Sequence, residues 1–369
     1  MQVNGSYSFF LGSNSGGGFR SFFSSFYDAG SMRRVYLLKG GPGNGKSTLM
    51  KKIAAAAIRQ GITVETVHCP SDPSSLDGVL LRESAVAVVD ATPPHAQEAQ
   101  LHGALERYVS LSPFVSDYSP AERREAERLT EAIRRSRTTA EKQLTAACAA
   151  ATARTGLVLP GVATERLNRR GRALAEHYLP KHTGRPQSQP YKRFLSAITP
   201  AGVTAFPGSV ASLIRSYGKE PYIITVPDEF GLSPFLLSPV LEAALSAGCV
   251  TYACWSPLMP SRLTGVIVPE AGFAVIADGE WEAAEPAARQ VHLTGAIAPD
   301  VLRAGRARLR LLKKAEKGLV DEAVRSLDEA LKLHDELESI GRTHTDFAAI
   351  DRLTDDLIRE CCDMRQKIN

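Results

Sequence analysis

Val35-Tyr36-Leu37-Leu38-Lys39-Gly40-Gly41-Pro42-Gly43-Asn44-Gly45-Lys46-Ser47-Thr48 decides the reading of this chain. It opens with an apolar run short enough for a buried strand. It then passes through a glycine-rich turn of the pattern GxxxxGK(S/T). Beyond it Leu49, Ile53 and Ala56-Ala57 recur at helical spacing as far as Gln60. Strand, loop and helix in this order are the context that a phosphate-binding loop requires. Glycine lets successive backbone N–H groups turn inward onto phosphate oxygens, and the positive end of the following helix adds to the attraction. Gly41, Gly43, Asn44, Gly45, Lys46, Ser47 and Thr48 are therefore candidate nucleotide-binding residues. In that role the Lys46 ammonium bridges the terminal phosphates and the Ser47 hydroxyl ligates Mg²⁺.

Working outward, Ile62 to Val67 and Ala85 to Val89 read as further buried strands, and their alternation with a helix predicts a parallel sheet. Val86-Ala87-Val88-Val89-Asp90 ends in an acid 44 residues after Lys46, so Asp90 is the candidate to hold Mg²⁺ through water. The next residue is Ala91 rather than a water-orienting Glu, and Thr92 and His95 follow in a proline-rigid loop. His68, Cys69 and Asp72 lie beyond the second strand, where open α/β sheets bind ligands. Asp72, His68 and His95 are candidates to orient a nucleophile. The alternatives are an Asp-capped turn and surface histidines.

The chain also resembles itself. With residue n set against n+187, residues 61–89 match 248–276 at ten of 29 positions, including Pro73-Ser74 with Pro260-Ser261 and Gly78-Val79 with Gly265-Val266. Upstream the offset falls to 186 and then to 184, where Phe10-Leu11 meets Phe194-Leu195. Two copies of one unit are predicted, at 1–185 and 186–369. In this register Lys46 becomes Leu232, His68 Trp255, Asp72 Met259 and Asp90 Ala277, with Asp278 one step away. Turn and core residues persist while reactive ones are lost, and Asp228 and Glu229 stand where phosphate would lie. The second copy reads as a degenerate domain without a nucleotide site.

Each copy ends in helices. Ser119-Pro120-Ala121-Glu122 is a capping box with proline at the first helical position, and a long periodic stretch follows. Asp300 to Ile340 and Phe347 to Cys361 carry the same pattern in the second copy. Residues 119–185 hold 14 Lys and Arg against 7 Asp and Glu. Arg123, Arg124, Arg128, Arg134, Arg135 and Arg137 form a basic helix, read either as a solvated face with Glu–Arg pairs or as a source of an arginine contact; nucleic acid is not the favoured partner. Ser13 to Phe19 is glycine-rich without the strand-loop-helix context, and is expected to lead into the first core rather than to cover a nucleotide.

The chain has 369 residues, 44% hydrophobic and 23% charged, which excludes a disordered chain. Its net charge of +4 divides unevenly, +7 over residues 1–184 and −3 over 185–369. No apolar run is long enough to span a bilayer, no signal peptide is evident, and six cysteines without CxxC spacing suit a reducing cytoplasm.

Lys39 to Ile53, His68-Cys69-Pro70-Ser71-Asp72-Pro73, Asp90 to His95 and the lead-in Phe194 to Gly202 together resemble a bacterial family of duplicated P-loop proteins described only as ATPases or ATP-binding proteins. The resemblance implies an α/β fold of two tandem P-loop NTPase-like parallel-sheet domains, each with a helical appendage, the second degenerate. It also implies ATP and Mg²⁺ at Gly43, Gly45, Lys46, Ser47 and Thr48. Slow ATP hydrolysis in the first copy is the leading expectation. A small-molecule or nucleotide kinase and a nucleotide-operated switch acting on a protein partner are the alternatives.

Overall fold

A computed structural model describes residues 6–93, 98–99, 103–181, 187, 189–279 and 286–364. The first half runs β1 (Tyr7–Phe10), β2 (Gly12–Ser15), β3 (Gly18–Ser21), β4 (Arg34–Lys39), α1 (Lys46–Arg59), β5 (Val64–His68), β6 (Leu76–Leu81), β7 (Val86–Asp90), β8 (Glu106–Ser110), α2 (Pro120–Val158) and α3 (Thr164–Tyr178). The second half is β9 (Tyr191–Arg193), β10 (Ser196–Thr199), β11 (Gly202–Ala205), α4 (Ser209–Arg215), β12 (Tyr222–Pro227), α5 (Ser233–Ser246), β13 (Tyr252–Trp255), β14 (Leu263–Val268), β15 (Phe273–Asp278), β16 (Arg289–Gln290), α6 (Pro299–Thr343) and α7 (Phe347–Asp363). Apart from α4, the second run repeats the first.

The repeat is visible in the sheets. One has the order β1-β5-β6-β7-β4-β8 and the other, read in the same sense, β9-β13-β14-β15-β12-β16. β4 is parallel to β7 and β8, as β12 is to β15 and β16. The sheets are mixed rather than wholly parallel, which corrects the sequence expectation: β6 is antiparallel to both β5 and β7, and β14 to both β13 and β15. The cause is connection length. Only Arg82 to Ala85 separate β6 from β7, whereas a parallel crossover needs about a dozen residues.

By its contacts the chain divides into two compact units, and this division runs differently from the division by repeat. Unit 1 comprises Met1–Ser8, Tyr27–Thr139 and Arg325–Asn369; unit 2 comprises Phe9–Phe26 and Ala140–Val324. The cuts fall inside α2 and α6. These helices have 39 and 45 residues, so at about 1.5 Å per residue they are about 58 and 67 Å long. Each carries the terminal helix of one half to the sheet of the other.

In unit 1, Ile350, Leu357 and Cys361 of α7 join Leu49, Ile53 and Ala57 of α1 in one apolar core. In unit 2, Leu167 and Leu174 of α3 join Leu236 and Val240 of α5. Gly171 permits that second contact, because a Cβ there would lie 2.2 Å from the Leu236 carbonyl oxygen. Matching backbone bridges mark the exchange, Val115 with Thr345 in unit 1 and Val162 with Ile297 in unit 2.

The glycine-rich stretch after Leu11 is the β2–β3 hairpin, and it belongs to unit 2 instead of leading into the first core. Asn14 Nδ2 donates to the Ile198 carbonyl at 2.9 Å and Ser13 Oγ to that of Pro257 at 3.1 Å. Phe10 and Phe194 exchange backbone hydrogen bonds of 3.0 and 2.9 Å. Phe10/Phe194 and Asn14/Ile198 are both separated by the local repeat spacing, so corresponding positions of the two halves meet here. All six cysteines are free thiols. Among the described residues no helix is long and apolar enough to cross a membrane.

Candidate functional site

The fully buried strand Val35 to Leu38 anchors the loop at the carboxyl end of β4. Gly43 and Gly45 take φ of +76° and +83°, backbone that side chains disfavour, and so turn the chain into α1. Asn44 locks the turn: its Oδ1 accepts from Gly41 N at 2.6 Å while its Nδ2 donates to Thr345 Oγ1 at 3.0 Å. Lys46 Nζ donates to the carbonyls of Gly40 and Gly41 at 2.7 and 3.0 Å and lies 3.7 Å from Asp90 Oδ2. Asp90 Oδ1 accepts from Thr92 N and Oγ1 at 2.9 and 2.6 Å. Burial pushes the Asp90 carboxyl above its ordinary value; Lys46 and Thr92 oppose that rise and Asp77 adds to it. Ser47 Oγ accepts from the Leu76 amide at 3.0 Å, tying the start of α1 to β6.

These groups line a cavity of about 760 Å³. Its wall includes Gly40 to Thr48, Asp72, Asp77, Asp90, Thr92 and Arg137, and on the α6–α7 side His334, Asp335, Glu338, Arg342 and Phe347. The start of α1, whose N-cap Gly45 makes no side-chain cap hydrogen bond, and Lys46 suit an anion. The Ser47 hydroxyl and the carboxylates at its floor are oxygen donors of the kind a hard divalent cation takes.

The sequence candidates fall into three groups. Gly41, Gly43, Asn44, Gly45, Lys46, Ser47, Thr48 and Asp90 come together at one end of the cavity. Asp72 reaches the wall as a turn cap, accepting from Ser74 N at 3.0 Å, Ser74 Oγ at 2.7 Å and Ser75 Oγ at 2.5 Å. His68 is not among the lining residues: its Nδ1 lies 2.8 Å from the Pro73 carbonyl and burial lowers its pKa. His95 lies outside the described residues.

Sequence reasoning missed the α6 contribution and Asp77. A Cβ on Gly43 would lie 2.3 Å from the Glu338 carbonyl oxygen, and one on Gly341 2.2 Å from that of Pro42. The loop and the last turns of α6 thus approach backbone to backbone. Glu338 accepts from His334 and Arg342, which hold its carboxyl down at about 2. Asp335 is raised by burial and by the charges of Glu338 and Asp72. On α2, Arg128 and Arg134 pair with Glu125 and Glu131, each at 2.7 Å, which is the solvated-face reading. Arg137 differs. It lines the cavity, four residues from buried Ile133 and three from buried Ala140, and burial lowers its pKa. A basic residue in register with the apolar stripe was the signal for it.

In unit 2 the corresponding loop is shorter, Asp228 to Leu232 between β12 and α5. Counting by helix ranges puts Ser233 opposite Lys46, and counting by the sequence register puts Leu232 there; neither is a lysine. The expected repulsion of phosphate by Asp228 takes a more specific form. Its buried carboxylate accepts from the amides of Leu232 and Ser233 at 2.7 and 2.8 Å, so the helix N-terminus already holds an anion of its own. Comparison with protein-family models, curated proteins and solved structures finds no significant match for this chain.

Proposed function

We propose that unit 1 is a P-loop NTPase site that binds a nucleoside triphosphate, ATP by resemblance, together with Mg²⁺ and hydrolyses it slowly, while the corresponding loop of unit 2 is inactive. The observation that carries this reading is the loop itself. Gly43 and Gly45 in left-handed backbone lead into α1, with Lys46 at its first position beside Asp90, on the wall of one cavity.

In this reading the loop amides and the start of α1 hold the phosphates. Lys46 leaves the Gly40 and Gly41 carbonyls to contact the terminal phosphates, where it offsets charge that develops on transfer. Mg²⁺ supplies charge neutralisation, with Ser47 and Asp90 as the residues that hold it. Thr92 fixes the Asp90 carboxylate. Arg137 adds a second cation to the cavity lining. The test is titration of ATP and of GTP with Mg²⁺ into wild type and Lys46→Ala, with phosphate release followed on the same samples. Binding and release in wild type that Lys46→Ala removes are expected. No Mg²⁺-dependent binding by wild type overturns the reading.

A second reading, a nucleotide-operated switch, is favoured by the contact of Pro42, Gly43 and Asn44 with Glu338, Gly341 and Thr345. A ligand that repositions the loop cannot leave those backbone contacts unchanged. Hydrogen exchange over 334–347 decides it: altered protection on nucleotide binding with negligible turnover supports a switch, and unchanged protection removes it.

A further inference from the structure

The reversed strand β6 brings a second carboxylate to the phosphate loop. The β6–β7 ladder ends with Gly78 opposite Val89, so Asp77 and Asp90 are the next residue on each strand. On its other side β6 is bulged: Val67 pairs with Gly78 and His68 with Leu76, leaving Asp77 as the extra residue. A bulge of this kind re-aims the side chain of the residue it leaves out. Asp77 is buried, and it lines the cavity with Ser47 and Asp90. The residue before it, Leu76, donates its amide to Ser47 Oγ at 3.0 Å. Two carboxylates at the ends of neighbouring strands repel; Lys46, 3.7 Å from Asp90 Oδ2, offsets part of that repulsion, and a cation held between the two carboxylates offsets the rest.

Unit 2 supplies an independent control. The bulge is kept there: Cys254 pairs with Gly265 and Trp255 with Leu263, leaving Thr264 as the extra residue. The β14–β15 ladder ends with Gly265 opposite Ile276, so Thr264 and Ala277 are the next residue on each strand. The backbone device persists, yet both carboxylates are gone from the unit whose loop lacks the lysine. Acid pair and phosphate loop are present together in one unit and missing together from the other.

We infer that Asp77, with Asp90 and Ser47, holds the divalent cation that accompanies the nucleotide, which makes the site a two-carboxylate one. The inference rests on the nucleotide reading proposed above. Among the described residues no cluster of three or more His, Cys, Asp or Glu side chains offers a cage made by protein alone. Two carboxylates and a hydroxyl suit a cation whose remaining positions are taken by phosphate oxygens and water.

Mn²⁺, titrated into the full chain with ADP and followed by electron paramagnetic resonance, reads this site without turnover. Asp77→Asn is expected to weaken Mn²⁺ binding in the ternary complex by at least about 10- to 100-fold, the loss that removal of even a ligand's outer-shell partner brings. ADP binding measured in EDTA stays unchanged, and the metal-free protein melts no lower than wild type. Asp77→Thr, which installs the unit 2 residue, gives the same result and serves if Asp77→Asn folds poorly. Mn²⁺ binding within twofold of wild type in both variants, while Asp90→Asn weakens it, overturns the role of Asp77 alone. Absence of nucleotide binding by wild type in both metal and EDTA overturns the nucleotide reading and this inference with it.

Discussion

The loops after β4 and β12 start from one design and reach opposite electrostatic ends. The first has six residues, Gly40 to Gly45, and leaves α1 without a side-chain cap and Lys46 at the wall of a cavity. The second has five, Asp228 to Leu232, and closes its helix terminus with the Asp228 carboxylate. A helix N-terminus attracts negative charge in either case. What differs is that the chain supplies the anion in unit 2 and supplies none from the cap position in unit 1. An internal carboxylate stabilises the fold continuously; in the reading proposed for unit 1 that stabilisation comes from the bound nucleotide.

The sharpest way to break this comparison is at the open loop. Lys46→Ala should weaken Mg²⁺–nucleotide binding on the order of 100-fold, from the roughly 1.5–3 kcal/mol that a charge-assisted hydrogen bond carries. Calorimetric titration measures it, and an unchanged affinity would place the ligand elsewhere. At the closed loop the expected effect is on stability. Asp228→Ala strips the cap from α5 and should cost roughly 2 kcal/mol in denaturant unfolding. Nucleotide stoichiometry should stay at one per chain. A second bound nucleotide in Asp228→Ala would mean that the carboxylate alone had silenced unit 2.

A third test concerns the α6 turns that lie on the open loop. His334 and Arg342 depress Glu338 from the ordinary 4.5 to about 2. A depressed carboxyl contributes stability that is present above 4.5 and is lost as pH falls towards 2. Glu338→Gln should therefore lower the melting temperature at neutral pH, flatten the acid limb across that window, and bring the two profiles together as pH falls towards 2. Parallel acid limbs in wild type and variant would show that the ion pair contributes nothing to stability. The smallest effects belong to the hairpins before β7 and β15. Ala85 has φ of +53° where the second copy has Gly272 at +69°. Ala85→Gly should gain up to about 1 kcal/mol by relieving left-handed strain. Gly272→Ala should lose more, because its Cβ would lie 2.8 Å from the Glu220 carbonyl oxygen. Equal and opposite shifts in denaturant midpoint would argue against that contact.

The local features of this protein were legible in its sequence. The strand Arg34–Lys39, the loop, the helix Lys46–Arg59, the Ser119–Glu122 capping box and the duplication all follow from patterns within a few residues or from one offset comparison. Such features depend on backbone sterics, helix ends and hydrophobic period, which neighbouring residues determine. The reversed strands β6 and β14 were legible too, had the four-residue connection Arg82 to Ala85 been weighed as too short for a crossover. Tertiary structure alone decided the rest. An amphipathic helix specifies that a face must be buried but not against which sheet, so nothing local in α7 says that it packs on α1 rather than on α5. The same freedom hid the cavity's α6 wall, which is far in sequence from the loop it touches, as the close approach of Gly341 to the Pro42 carbonyl shows. Asp77 and Asp90 likewise came to line one cavity only when β6 and β7 paired and a bulge left Asp77 out of the β5–β6 register.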